Sequence, residues 1–347
     1  MRALEELVMA VSADCSASID PMAGGASSRR YFRVELSQGG TVVAVFTPSA
    51  DGVADEVGKS HARTRWPFLE IRDLLENKGI RVPKLFADAS ARGWLLLEDL
   101  GEDTLANVLL RAPAKKSELY TKAVTDLARA QIRLESLPEG SVVSSRAFDV
   151  ELLRCEIDHF REWGLDARGI ALTRAQQDEF ELLANSLAHR IADFPRSFTH
   201  RDYQSRNLMV DRDERLVWID FQDALLGPRV YDLVALLNDS YQTFEPEFVA
   251  ARIDEYCTVL GLGRSEFAQV HREFDLVTVQ RKLKDAGRFV YIDRVKKDSS
   301  FLPFVSSTVQ KALAALERVA NYDADMARFD ALLRPILRAD LAHSSVY

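Results

Sequence analysis

Asp202, Asn207 and Asp220 are the residues of this chain whose types and spacing point to chemistry. Asp202 follows His200-Arg201, Asn207 comes five residues later, and Asp220 closes the next apolar run. Residues 208–210 and 216–219 read as short strands joined by the polar turn 211–214. A hairpin of this kind sets Asn207 beside Asp220, with Asp202 on the loop just before. An amide oxygen next to a carboxylate suits Mg²⁺, a hard cation that takes oxygen ligands and keeps waters and substrate phosphates for the rest. A separate carboxylate one loop away can accept the proton of an attacking hydroxyl. Together these are the parts of a phosphoryl-transfer site: a positioned base, a metal on the phosphates, and little covalent work for the protein. A polar loop followed by an ordinary hairpin is the competing reading, and the ordered set at this spacing argues against it.

The elements that must hold these residues follow from periodicity. Residues 1–14 read as a helix with Leu4, Leu7, Val8 and Val11 on one face. Strands are expected at 18–22, 31–36 and 41–46. Between the first two stands Ala23-Gly24-Gly25-Ala26-Ser27-Ser28-Arg29-Arg30. Such a small-residue turn presents backbone N–H groups to phosphate oxygens, and its arginines add charge; a plain hairpin turn is the alternative. Residues 51–65 are polar and loop-like. Trp66-Pro67 opens a helix to Lys78 with Phe68, Ile71, Leu74 and Leu75 as its stripe. Residues 82–86 and 94–97 read as two further strands, the second running into Glu98-Asp99-Leu100-Gly101.

Beyond residue 102 the pattern is helical. Asp103 is expected to cap a helix through Leu110, amphipathic stretches follow at 119–136 and 148–163, and Thr173 with Gln176 forms a capping box. Gly227-Pro228 is expected to open a helix containing Tyr231, Val234, Leu237 and Tyr241, with three more helical stretches after it. Strands early and helices late give an α+β layout in two lobes, a small sheet lobe over residues 1–98 and a larger, mainly helical lobe over 99–347. Asp232 is expected to accept hydrogen bonds from the backbone of the Asp202 loop, with His200 and Arg201 holding that loop. Gln204 and Asp223 flank the base and the metal carboxylate and are candidates for substrate contact. Trp163 reads either as a core residue or as a stacking face for a sugar.

Composition narrows the classes. With 347 residues, 47% hydrophobic and 28% charged, the chain can bury a sizeable core. A net charge of −8 argues against nucleic acid as the main partner. No apolar run reaches the ~18 residues of a membrane span, and the acidic amphipathic start is unlike a secretion signal, so a cytoplasmic protein is expected. Cys15, Cys155 and Cys257 are far apart in sequence and imply neither a metal cluster nor a disulfide framework. No obligate protein partner is evident.

The catalytic stretch, with Gly227-Pro228-Arg229-Val230-Tyr231-Asp232-Leu233, resembles the aminoglycoside/choline phosphotransferase branch of the protein-kinase-like fold. The resemblance implies ATP as donor, Asp202 as the base or hydroxyl-orienting group, and Asn207 and Asp220 as Mg²⁺ ligands. It implies that Ser27, Ser28, Arg29 and Arg30 cover the phosphates and that the backbone at Glu98 and Leu100 meets the adenine edge. One departure stands out: Phe46 falls where the family's strand lysine is expected. Another cation, Arg29, Arg30, Lys59 or Arg65, must then serve, or the chain is a nucleotide-binding pseudokinase.

Further stretches narrow the resemblance. Gly24-Gly25-Ala26-Ser27-Ser28-Arg29-Arg30-Tyr31-Phe32-Arg33, Ile219-Asp220-Phe221-Gln222-Asp223 and residues 280–289 are similar to bacterial anomeric kinases of N-acetylmuramate and N-acetylglucosamine in peptidoglycan recycling. That resemblance implies an amino-sugar acceptor, with Arg206 or Arg288 available for the lactyl carboxylate. Gln204 stands where that subgroup usually has His. A kinase for another small alcohol or amine remains the alternative. The anomeric hydroxyl is more acidic than an ordinary alcohol, so a loop Asp with a near-normal pKa suffices to take its proton.

Overall fold

A computed structural model describes residues 2–12, 18–22, 29–37, 39–48 and 65–344. The turn residues Ser27 and Ser28, and Cys15 and Lys59, lie outside that set. The chain forms two compact units, residues 1–115 with 206–223, and residues 116–205 with 224–347.

The first unit is built on an antiparallel sheet of β1 (Ser18–Pro21), β2 (Arg30–Glu35), β3 (Thr41–Phe46), β4 (Leu85–Ala89) and β5 (Trp94–Glu98), in the order β1-β2-β3-β5-β4. Its two faces follow the two-residue alternation of a strand. One buries Val34, Val42, Ala44, Trp94 and Leu96 against Leu4, Leu7 and Val8 of α1 (Arg2–Ser12). The other buries Val45, Leu95 and Leu97 against Trp66 and Leu69, at and within α2 (Pro67–Asn77). The buried residues of α2 are Pro67, Leu69, Ile71, Arg72 and Leu75, so Ile71 and Leu75 of the expected stripe are buried while Phe68 and Leu74 are half-buried. Fully burying one such aliphatic side chain contributes roughly 1.5–3 kcal/mol, which fixes which way each strand faces.

Two boundaries differ from expectation for identifiable reasons. The strand read at 82–86 begins at Leu85, because its early carbonyls are taken by side chains: Arg81 Nη1 donates to the Val82 carbonyl and Arg72 Nε to that of Pro83. The cap of α3 (Leu105–Arg111) is Thr104, whose hydroxyl accepts the Asn107 N–H at 3.1 Å. Asp103 instead pairs with Arg111, and its carbonyl accepts the Val210 N–H at 2.7 Å. The hairpin expected beyond Asn207 is present as β7 (Leu208–Val210) and β8 (Leu216–Trp218), in register Leu208↔Trp218.

The second unit is helical around a two-stranded sheet. α4 (Lys116–Arg133), α5 (Val150–His159) and α6 (Arg174–Ala192) precede it, with the Thr173–Gln176 capping box in place. The sheet pairs β6 (Arg196–Thr199) with β9 (Leu225–Pro228), so Gly227-Pro228 ends a strand instead of opening a helix. A Cβ on Gly227 would sit 2.8 Å from both Phe148 Cδ2 and Thr199 Oγ1, which explains the glycine. The helix after it, α7 (Tyr231–Leu237), is buried along its whole length and stops short of Tyr241. Four helices follow where three were expected: α8 (Pro246–Val259), α9 (Arg264–Lys296), α10 (Val305–Ala320) and α11 (Ala324–Ser344). No helix among the described residues is long and apolar enough to cross a membrane.

Candidate active site

In the second unit the Asp202 loop is held at nearly every residue. The carboxylate of Asp232, fully buried in the first turn of α7, accepts the N–H of His200 at 2.6 Å and of Arg201 at 3.0 Å. Arg201 has φ 76°, a left-handed conformation costly for any residue but glycine, and these bonds hold it there. The Tyr203 hydroxyl donates to the Ala123 carbonyl on α4 at 2.9 Å. Asp239 accepts both the N–H and the hydroxyl of Ser205. His200 is fully buried, edge-on to Tyr203. The expected anchoring by Asp232 is thus present as geometry.

α9 supplies the charge beneath the loop. Arg281, 2% exposed, donates to the Arg201 carbonyl at 2.7 Å and lies 3.4 Å from Asp202 Oδ1. Arg201 in turn pairs with Glu156 of α5 at 3.1 Å, and Gln280 Nε2 donates to the same carboxylate at 2.8 Å. Burial works to raise the pKa of Asp202, but the charges of Lys284, Arg281 and Arg201 outweigh it and hold the carboxyl below the ordinary carboxylate range. The near-normal value expected of a solvated loop Asp is therefore corrected. Burial also dominates at Asp232, pushing it up to about 7 against the two backbone N–H donors and Arg281.

In the first unit the Ile219 N–H donates to the Asn207 carbonyl at 3.1 Å, extending the β7–β8 ladder by one step. Asp220 leaves that ladder with φ 64°, a second left-handed non-glycine residue. Arg29 Nη1 lies 3.9 Å from Asp220 Oδ1. The Gln222 amide donates to both Asp220 Oδ1, at 3.0 Å, and Asp223 Oδ2, at 3.1 Å. Phe221 stacks on Phe68 of α2. Asn207 and Asp220 offer an amide oxygen and a carboxylate, a hard-oxygen pair that fits Mg²⁺.

Phe46 packs against Trp94 with ring centroids 4.7 Å apart and planes tilted by 40°, on the α1 side of the sheet, while Tyr31, Val43 and Val45 pack on the α2 side. No residue of β3 is a lysine. Arg29 and Arg30 also separate: Arg29 reaches Asp220, whereas Arg30 is exposed and stands opposite Phe46 in the β2–β3 register. Arg65 pairs with Asp73 at 2.5 Å.

Among the other expected residues, Glu98 is engaged by Arg81 and by the Lys84 N–H. Leu100 is half-buried beside it. Gln204 donates its N–H to the Asp202 carbonyl at 2.9 Å, and Arg206 is exposed. Trp163 lies in a π-helical turn, Phe160–Leu165, half-buried and 5.1 Å from the Tyr291 ring. Sequence reasoning missed Glu156, Arg281, Lys284 and the Arg33–Asp99 pair at 2.7 Å. The one available signal was an unusual run of charges inside a long helix, at Arg281, Lys282, Lys284 and Asp285.

The profile of the phosphotransferase enzyme family matches residues 18–269. The chain belongs to that family. It is 32% identical over 281 residues to the N-acetylmuramate/N-acetylglucosamine kinase of Pseudomonas aeruginosa, covering 80% of this chain and 77% of that one. A protein of the same name from Neisseria meningitidis is 31% identical over 320 residues, 90% and 88% of the two chains. Among solved structures, a choline kinase from Streptococcus pneumoniae superposes with a TM-score of 0.59 at 13% identity, over 92% of this chain and 99% of that one. A GDP complex of aminoglycoside 2'-phosphotransferase-IIIa gives 0.58 at 14% identity, over 90% and 97%. These last likenesses establish the two-lobed kinase-like fold. The chain is a phosphotransferase enzyme of the kinase type.

Proposed function

We propose that this phosphotransferase uses ATP and Mg²⁺ to phosphorylate the anomeric hydroxyl of N-acetylmuramate, N-acetylglucosamine or both. The observation that carries the reading is the ~30% identity, over most of the chain, to kinases named for these sugars. Supporting it, Asp202, Asn207 and Asp220 stand at the spacing the reading needs, and Arg29 lies near Asp220. Asp202 orients the C1 hydroxyl and accepts its proton, and its depressed pKa suits an acceptor more acidic than an ordinary alcohol. Asn207 and Asp220 hold Mg²⁺, which when bound neutralises charge on the phosphates. Arg29, beside Asp220, supplies the positive charge that the family draws from its strand lysine, and the Ser27-Ser28 turn covers the phosphates. Main-chain groups at Glu98 and Leu100 meet the adenine, while Gln204, Arg206 and Asp223 border the acceptor. His200, Arg201 and Asp232 hold the loop.

Nucleotide binding is assigned to residues 1–98, and catalysis with acceptor binding to 99–347. The work is placed in the cytoplasm, where ATP is supplied, with a free sugar as partner and neither nucleic acid nor membrane involved. Strand β3 holds no lysine, so the pseudokinase alternative is opposed by the complete set of Asp202, Asn207 and Asp220 and by Arg29 beside Asp220.

Incubation with ATP, Mg²⁺ and each sugar, read by phosphorus NMR, tests the reading. A sugar 1-phosphate is expected. Product at C6, or turnover confined to aminoglycosides or choline, would refute it and leave the fold intact.

A further inference from the structure

The stretch of α9 beneath the Asp202 loop gathers three cations. Asp285 is shared by Lys282 at 2.7 Å, Lys284 at 3.4 Å and Arg281 at 3.8 Å. Glu156 is taken by Arg201 and Gln280. Arg281 also pairs with Asp202, and Lys282 is held by Asp285 and Ser240, which leaves Lys284 as the partly exposed member of the group.

The three cations differ in what they do. Arg281 is buried and committed to the Arg201 carbonyl and Asp202. Lys282 is buried and turned to Ser240. Lys284 keeps 19% of its side chain exposed. It stands three residues beyond Arg281, so it shares that helix face and lies ~4.5 Å further along the axis. Its charge acts on Asp202 from there. Arg288 continues the same face one turn on, over the ring of Tyr291, which meets Trp163 edge-on. That aromatic end is brought in close by Gly287, where a Cβ would lie 2.8 Å from Phe160 Cα.

We infer that Lys284 is a specificity-determining residue that receives a carboxylate carried by the acceptor, so that the enzyme favours an acidic hexosamine over its neutral counterpart. The inference rests on the amino-sugar reading above. With the C1 hydroxyl on Asp202, a carboxylate carried on C3 stands a few ångströms from the reacting oxygen, and Lys284 is the partly exposed α9 cation whose charge reaches Asp202. Arg288 lies a further ~6 Å on, and Arg206 is exposed in the other unit. Among these cations, Lys284 has the placement that matches the lactyl group of N-acetylmuramate.

The test compares kcat/KM for N-acetylmuramate and N-acetylglucosamine in wild type, Lys284→Met and Lys284→Arg. In Lys284→Met the ratio of the two values should shift about 10- to 100-fold against the acidic sugar, the range one charge-assisted hydrogen bond commands. Lys284→Arg should restore most of the preference. An equal fall for both sugars would overturn the inference, because the charge would then serve Asp202 or the transferring phosphoryl group instead. An unchanged ratio would overturn it too. If wild type phosphorylates neither sugar, the amino-sugar reading falls first and takes this one with it. Wild-type turnover with an unmoved ratio sinks the inference alone.

Discussion

Replacing Asp232 with alanine tests whether α7 holds the catalytic loop. The carboxylate is fully buried and accepts two backbone N–H groups, from His200 and Arg201. Alanine leaves both donors buried without an acceptor, at ~1–3 kcal/mol each, or ~2–6 kcal/mol together. Relaxation of Arg201 from φ 76° recovers ~1–2 kcal/mol of that, since a left-handed non-glycine residue costs about this much. The net loss, ~0–5 kcal/mol, is within what a domain with 5–15 kcal/mol of stability tolerates. The variant should fold and be weakened. The same relaxation moves Asp202, the next residue, so kcat should fall at least tenfold while nucleotide affinity changes little. Urea unfolding followed by tryptophan fluorescence gives the first quantity and a coupled ADP assay the second. An unfolding free energy within ~0.5 kcal/mol of wild type, together with wild-type kcat, would refute the argument, because water or the loop itself would then satisfy the two N–H groups.

Asp202→Asn should abolish most turnover yet bind ATP·Mg²⁺ nearly as wild type, whereas Asp220→Ala should weaken that binding as well; equal losses of affinity would contradict the division of roles. Arg29→Ala should raise the KM for ATP and Arg30→Ala should not, because only Arg29 lies near Asp220; steady-state kinetics on both variants decide. Asp232 is pushed up from 3.8 to about 7, so the stability it contributes is present in acid and lost as pH rises through about 7. Asp232→Asn does not titrate. The stability of wild type relative to that variant should therefore decline between pH 5 and 8, by ~3 kcal/mol, and urea melts across that range would show a flat difference if the shift is absent.

What the sequence made legible was local. The hairpin of β7 and β8, the Thr173–Gln176 capping box and strand β3 each carry their signal within a few residues. The readings that missed depend on distant partners. β6 and β9 are short and one ends in proline, and they pair across an intervening excursion of chain. The stretch 280–289 carried a family likeness but no sign that Arg281 and Lys282 would be buried to 2% and 1% exposure. Nothing in the spacing of Glu156 announced that it would meet Arg201.

The two compact units are not two successive lengths of chain. Residues 206–223 leave one unit, complete the other and return. The bonds that seat them join Trp218 to Arg81 and Val210 to Asp103, pairs far apart in sequence. During synthesis the first unit is therefore unfinished until well over half the protein has been made. Its sheet and α2 can form early, but Asp220 arrives late, beside an Arg29 made long before. Contacts this distant slow folding. A ribosome stalled before residue 218 would display a first unit that still lacks Asp220 and the bond from Trp218 to Arg81.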